Sequence, residues 1–118
     1  MKTENWNNHN IRFVEHKDEW WAVAKDVCQA LGLKQVTRAL KGLDYAPLTT
    51  SKVGVVTGTR GDGTEAVQEV DMNIINEFSI YQLIFKSRKQ EAKDFQRWVF
   101  NIIKTLRKST GLEGFALM

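Results

Sequence analysis

Cysteine is nearly missing from this chain: Cys28 is the one thiol in 118 residues. An internal disulfide is therefore excluded, and a reducing cytosol is the compartment that fits. No apolar run approaches the length of a membrane span, so no membrane partner is expected. The stretch Met1 to Asn8 has no apolar core of a signal peptide, so none is expected. There is no tandem repeat and no low-complexity tract. The two histidines, His9 and His16, together with Cys28 make no set with metal-ligand spacing, so neither a metal nor a cofactor is expected. His9 falls in an Asn-rich leader that reads as frayed, and His16 ends a strand. Cys28 and His16 are conceivable as a nucleophilic pair. A lone cysteine on a short helix nevertheless reads as a small core residue, because unpaired cysteines are among the most buried types. Carboxylates are scattered, with no acid–base pair. The glycines of Thr59–Thr64 are followed by no Gly-Lys-Ser/Thr, so they are not a phosphate loop. These absences argue against an enzyme.

What is present is enough for a core. The chain is 42% hydrophobic with six Phe and four Trp, and its length is that of one domain. Wholesale disorder is excluded by that content. The periodicities predict an α+β domain of antiparallel hairpins, short helices and one long amphipathic basic helix near the C-terminus. Ile11–His16 and Glu19–Val23 alternate as strands around a turn at Lys17-Asp18. Trp20 and Trp21 point to opposite faces of their strand, so one of them is covered by another element or partly exposed. Ala24–Leu31 reads as a short helix burying Val27, Ala30 and Leu31, stopped at Gly32 in the αL conformation. Val36–Lys41 reads as a second short helix. The pair resembles a helix-turn-helix in which Arg38 and Lys41 would read bases. Two short helices packing on a sheet explain the same pattern, and a Gly in the turn is a weak signal. Val53–Thr57 and Glu65–Val70 read as strands around Thr59–Thr64, whose Asp62-Gly63 has tight-turn chemistry. Arg60-Gly61-Asp62 is that turn rather than an integrin ligand. Asn76 reads as the N-cap of a helix through Lys86, with Ile80, Leu83 and Ile84 inward.

The strongest feature is the segment Ser87 to Lys108. At about 100° per residue, Ala92, Phe95, Trp98, Val99, Ile102, Ile103 and Leu106 gather on one side. Lys93, Arg97, Lys104, Arg107 and Lys108 gather on the other. One apolar stripe is all that docking on a core requires. A single sign of charge opposite it asks for a polyanion or an acidic partner. The whole chain is only +3, yet residues 86–108 carry eight basic and two acidic side chains, while residues 1–85 carry nine basic and eleven acidic, and residues 109–118 add one acid. Such local basicity marks an electrostatic footprint better than a high overall pI does. A solvated helix whose cations only confer solubility is the plainer reading. Phe100 falls among these cations, where it could stack on bases or anchor a protein interface.

Three blocks carry a family resemblance. Trp20-Trp-Ala-Val-Ala-Lys-Asp-Val-Cys-Gln-Ala-Leu-Gly-Leu33 resembles the opening signature of the Bro-N domain of prophage antirepressors and baculovirus repeated-ORF proteins. Ile75-Asn-Glu-Phe-Ser-Ile-Tyr-Gln-Leu-Ile84 is similar to that family's I-N-E-x-G-L-Y-x-L-I. Ser87-Arg-Lys-Gln-Glu-Ala-Lys-Asp-Phe-Gln-Arg-Trp-Val99 is similar to its S-R-K-P-E-A-K-x-F-x-R-W-V. The blocks come in the family's order and cover about residues 6–110, which sets the expected core of a single domain over 1–118. Ser79 stands for the usual Gly and Gln90 for the usual Pro. Gly42 to Asp71 lacks the family's acidic run and carries a hairpin of its own.

The resemblance implies a DNA-binding regulatory domain of the phage antirepressor type, acting in transcription regulation. Lys86, Arg88, Lys89, Lys93, Arg97, Lys104, Arg107 and Lys108 become the candidates for phosphate contact, with Arg38 and Lys41 as base readers. The alternative is a module that binds and inactivates a phage repressor protein without touching DNA. The bacterial host cytoplasm is the expected location, or the nucleus for a eukaryotic DNA virus. Such proteins usually continue into a second, C-terminal domain. Only ten residues follow Lys108, so that domain is expected to be absent, whether the chain is an isolated domain or a truncated one. An exposed member of the Trp20/Trp21 pair, together with Phe100, leaves apolar area to cover and predicts a homodimer.

Overall fold

The computed structural model describes residues 1–43 and 49–111. Residues 44–48, inside the stretch that departs from the family pattern, and Glu113 lie outside the described residues. The strands are β1 (Lys2–Trp6), β2 (His9–His16), β3 (Glu19–Val23), β4 (Thr49–Thr59) and β5 (Glu65–Ile75). The helices are α1 (Ala24–Ala30), α2 (Val36–Lys41), α3 (Glu77–Lys86) and α4 (Ala92–Thr110). The five strands form one antiparallel sheet in the order β1-β2-β3-β5-β4. The fold is α+β, as the periodicities predict.

Two tight turns build the first three strands. Lys17 and Asp18 have φ of 51° and 61° and join β2 to β3 with His16 opposite Glu19. Asn7 and Asn8 have φ of 47° and 67° and join β1 to β2 with Trp6 opposite His9. Positive φ at both loop positions is the type I′ geometry that matches strand twist. The leader is therefore a paired strand, which corrects the expectation of a frayed N-terminus. Trp6 explains why it holds: the ring is buried and meets Phe95 of α4 edge-on, with centroids 4.8 Å apart.

Near β2 and β3 the sheet buries apolar side chains on both faces. Ile11, Phe13, Trp20, Ala22 and Ile75 face α1, α3 and α4 in the main core. Val14, Trp21, Val23 and Ile74 form a second cluster on the other face with Val53 and Met72 from β4 and β5. Trp20 is 3% exposed and Trp21 6%. Of the two outcomes expected for the second indole, cover by another element is the one found, because the β4–β5 hairpin packs on Trp21. That removes the tryptophan from the apolar area that motivated a homodimer. His16 sets its ring edge-on to Trp21 at 5.0 Å, on the opposite face from Cys28. The two therefore make no nucleophilic pair. Burial pushes the Cys28 thiol up to about 11, which keeps it protonated and inert near neutral pH.

The β4–β5 hairpin is longer than its sequence pattern implies. Pairing runs from Thr49 opposite Ile74 to Thr59 opposite Glu65, with an irregularity between Val56 and Gly58. β5 pairs with β3 only at Ile74 and Ile75, so the outer part of the hairpin is a two-stranded ribbon. At its tip Gly63 has φ 88°, and Asp62 Oδ1 accepts from the Thr64 amide and hydroxyl. Those hydrogen bonds hold the Asp62 carboxyl below its ordinary value.

Helix α1 is locked to β2 through its first turn. Asp26 is buried; its Oδ2 accepts from the Arg12 amide at 3.0 Å and from Nε at 2.8 Å, and its Oδ1 accepts from Nη2 at 2.8 Å. The hydrogen bonding to Asp26 raises the Arg12 guanidinium above its ordinary value. A buried carboxylate is tolerable because both of its oxygens accept hydrogen bonds, two of them from the Arg12 guanidinium. Asn76 caps α3 as expected, its Oδ1 accepting from the Ser79 amide at 2.9 Å. Ser79 is buried within an ordinary helix, so the usual Gly is not needed there.

Candidate nucleic-acid interface

Helix α4 runs for 19 residues and ends at Gly111, whose φ of 75° is the αL stop. Ala92, Phe95, Val99, Ile103 and Leu106 are buried, and Trp98 and Ile102 pack partly buried against the same core. Phe95 stacks on Trp98 at 5.7 Å. Trp20 Nε1 donates to Thr110 Oγ1 at 3.2 Å and ties the last turn to the sheet. The apolar stripe therefore docks as predicted, and the opposite face is presented to solvent.

Lys93, Arg97, Lys104 and Lys108 are exposed on that face, with no ion-pair partner among the described residues. Lys93 to Lys108 spans about 22 Å at the 1.5 Å rise of an α-helix. Arg107 is different. It is half-buried, and its Nη2 lies 3.4 Å from Glu77 Oε1. Glu77 Oε2 accepts from the Tyr81 hydroxyl at 3.1 Å. Burial first, then the Glu77 charge, push the Tyr81 hydroxyl above its ordinary range, so it remains a donor.

Lys86 and Arg88 are exposed at the end of α3 and in the α3–α4 loop. Lys86 joins Lys34 and Arg38 around a shallow hollow of about 340 Å³. A neighbouring hollow of about 410 Å³ is lined by Arg38 and Lys41 with Gln35 and Thr37. Arg38 and Lys41 thus form a second basic area with Lys34 and Lys86. Lys34 lies only four residues before Arg38 in the chain, whereas Lys86 joins them only in space, where the α1–α2 loop meets the end of α3. Among the described residues, no group of three or more His, Cys, Asp and Glu could hold a metal ion, and no helix is long and apolar enough to cross a membrane.

Residues 10–105 match the BRO family, N-terminal domain. The chain belongs to that family. It is also 36% identical over 112 residues to an uncharacterized protein of Haemophilus influenzae, an alignment that covers 94% of this chain and 51% of that protein. The chain spans about half the length of that relative. No solved structure matches it.

The geometry gives physical reasons for several Bro-N identities. The end of the first block touches the start of the third. Ser87 Oγ donates to Leu31 O at 2.9 Å, and Lys89 Nζ donates to Ala30 O at 3.1 Å. The Lys89 stem lies over Gly32, where an added Cβ would meet Lys89 Cε at 3.1 Å, and φ there is 72°. Gly32 is required twice, by its left-handed backbone and by the lysine crossing it. Lys89 satisfies a carbonyl at the C-terminus of α1, where a cation also complements the helix dipole.

Lys89 therefore has structural work that Lys93 lacks. Lys89→Ala is expected to lower stability by about 1 kcal/mol through the lost hydrogen bond and to leave the salt dependence of ligand binding nearly intact. Lys93→Ala is expected to do the reverse. Chemical denaturation together with salt-titrated binding of both variants checks this pair.

Proposed function

We propose that this Bro-N domain is a DNA-binding regulatory module of the phage or prophage antirepressor type, acting in the cytoplasm as a binding protein rather than an enzyme. One observation carries the reading. A face about 22 Å long on a firmly anchored helix bears four exposed cations without ionic partners among the described residues. Lys93, Arg97, Lys104 and Lys108 suit a row of backbone phosphates, where affinity comes from counterion release. Lys86 and Arg88 extend the positive surface, while Lys89 and Arg107 act mainly within the fold. Arg38 and Lys41 are reserved for base contacts, which would set sequence preference more than affinity. The family supports a regulatory role in phage-type systems. The test is binding of random duplex and single-stranded oligonucleotides at several salt concentrations. Absence of any binding at low salt, where electrostatic affinity is greatest, would reject the reading.

Phe78 and Phe85 favour a protein partner as well. They lie seven residues apart on α3 and are 58% and 85% exposed. Closed two-fold assembly is the commonest way to cover such area, so a homodimer through this face is proposed. Light scattering should return a dimer mass that Phe85→Glu reduces to that of a monomer; a concentration-independent monomer in the unaltered chain would refute it. The rival occupant is a phage repressor bound without DNA. Excess unlabelled duplex would then fail to displace the repressor from the basic helix.

A further inference from the structure

The outer part of the β4–β5 ribbon carries a sheet face that its own chain leaves open. Val56 and Val67 lie opposite each other there and are 56% and 55% exposed. Alternation along β5 sets Glu65, Val67, Glu69 and Asp71 on this one face. All four are exposed, and none of the three carboxylates is ion-paired among the described residues. Lys52, opposite Asp71, is the cation on the same face. The alternate positions of β5, Ala66, Gln68, Val70 and Met72, carry no charge. Gly54 leaves the flank of Val67 open, since an added Cβ would stand 3.3 Å from Val67 Cγ1. The ribbon face is thus a pair of valines flanked by carboxylates.

Its complement is on α4. Lys93, Arg97, Lys104 and Lys108 are exposed and without ion-pair partners among the described residues. Phe100, 54% exposed, stands between Arg97 and Lys104. Glu65 to Asp71 spans about 20 Å along a strand, against about 22 Å from Lys93 to Lys108 along the helix. One row is negative around two valines and the other is positive around a phenyl ring. The two rows do not meet within one chain, because the valines, the ring and both sets of charges are exposed. We propose that the ribbon of one copy docks by this face on the basic face of α4 in a second copy. Two copies that each lay a ribbon on the other's α4 form a closed pair. Self-association and polyanion binding then exclude each other, and the domain masks its own cations until a polyanion displaces the ribbon. The contact is distinct from the phenylalanine face of α3 and, being electrostatic, fades with salt. It rests on the complementarity of the two surfaces; only the competition with DNA rests on the DNA-binding reading.

The experiment is sedimentation velocity on the Phe85→Glu chain, in which the α3 contact is broken. A monomer is expected at high salt and a concentration-dependent dimer at low salt. Glu65→Lys with Glu69→Lys should weaken that dimer by at least about tenfold, since like charges then face each other. Arg97→Glu with Lys104→Glu should do the same. An equimolar mixture of the two charge-reversed chains should restore the dimer, because each ribbon again meets opposite charge. Val67→Ser should weaken it with no change of charge. Glu15→Lys with Asp18→Lys, an equal charge change near the β2–β3 turn, should leave it intact. A chain that stays monomeric at low salt overturns the proposal. So does a dimer indifferent to either reversal, one weakened equally by the control, or a mixture that remains monomeric. A random duplex should dissociate the dimer; a duplex that binds without dissociating it overturns the shared face. If the mixture restores the dimer and no duplex binds at low salt, the self-contact stands and the DNA-binding reading fails.

Discussion

Removing the charges of Arg97 and Lys104 together, as Arg97→Gln with Lys104→Gln, is expected to halve the salt dependence of DNA binding. If Lys93, Arg97, Lys104 and Lys108 each neutralise one phosphate, the log–log slope of affinity against salt approaches about −3.6 per protomer, at roughly −0.9 per phosphate on B-DNA. The double variant should flatten it by about 1.8 units and weaken binding across all sequences alike. Both side chains are exposed on the solvent face of α4 and have no ion-pair partner among the described residues. Their loss should therefore leave melting nearly unaltered, and binding effects can be read without a folding correction. Arg38→Gln with Lys41→Gln should instead relax sequence preference more than total affinity. An unchanged slope in the Arg97/Lys104 variant would place the phosphate contacts elsewhere on the molecule.

Phe95→Ala is expected to cost about 3–5 kcal/mol, the usual range for emptying a fully buried aromatic site. Phe95 is entirely buried, stacked on Trp98 and met edge-on by Trp6. Its ring joins β1, α4 and the main core, so no single side chain can relax into the space. Measured against the usual total stability of about 5–15 kcal/mol, the loss is large. The melting temperature should fall by roughly 10–20 °C. A variant that melts like the unaltered domain would show that α4 is not docked by this stripe. The same anchoring keeps the cationic face in one rigid row, so fold stability and binding geometry are coupled through this residue.

Much of the local structure was legible because short-range rules govern it. Asn76, Gly32, Lys17-Asp18 and Asp62-Gly63 each require a particular backbone, and each residue appears where its cap or turn does. The two faces of α4 follow from helical spacing alone, since the 3.6-residue period sorts its side chains whatever the rest of the chain does. The leader was misread because β1 has only Trp6 as an apolar contact. Its hold comes from Phe95, nearly ninety positions away in the chain, and no local pattern reports that.

Local patterns in the chain thus fix the type of the described elements other than β1, along with the docking stripe, the cationic row and the family. Tertiary structure alone decided which cations are free. Lys89 and Lys93 are the same residue type four positions apart, yet one reaches the end of α1 and the other faces solvent. Arg107 shares the wheel position of the free cations and is nevertheless held by Glu77. Trp21 is covered only because a distant hairpin brings Val53 and Met72 across its face. Helical periodicity specifies direction around one axis, whereas a partner's presence depends on where two axes meet, and that is set by the packing of the whole core.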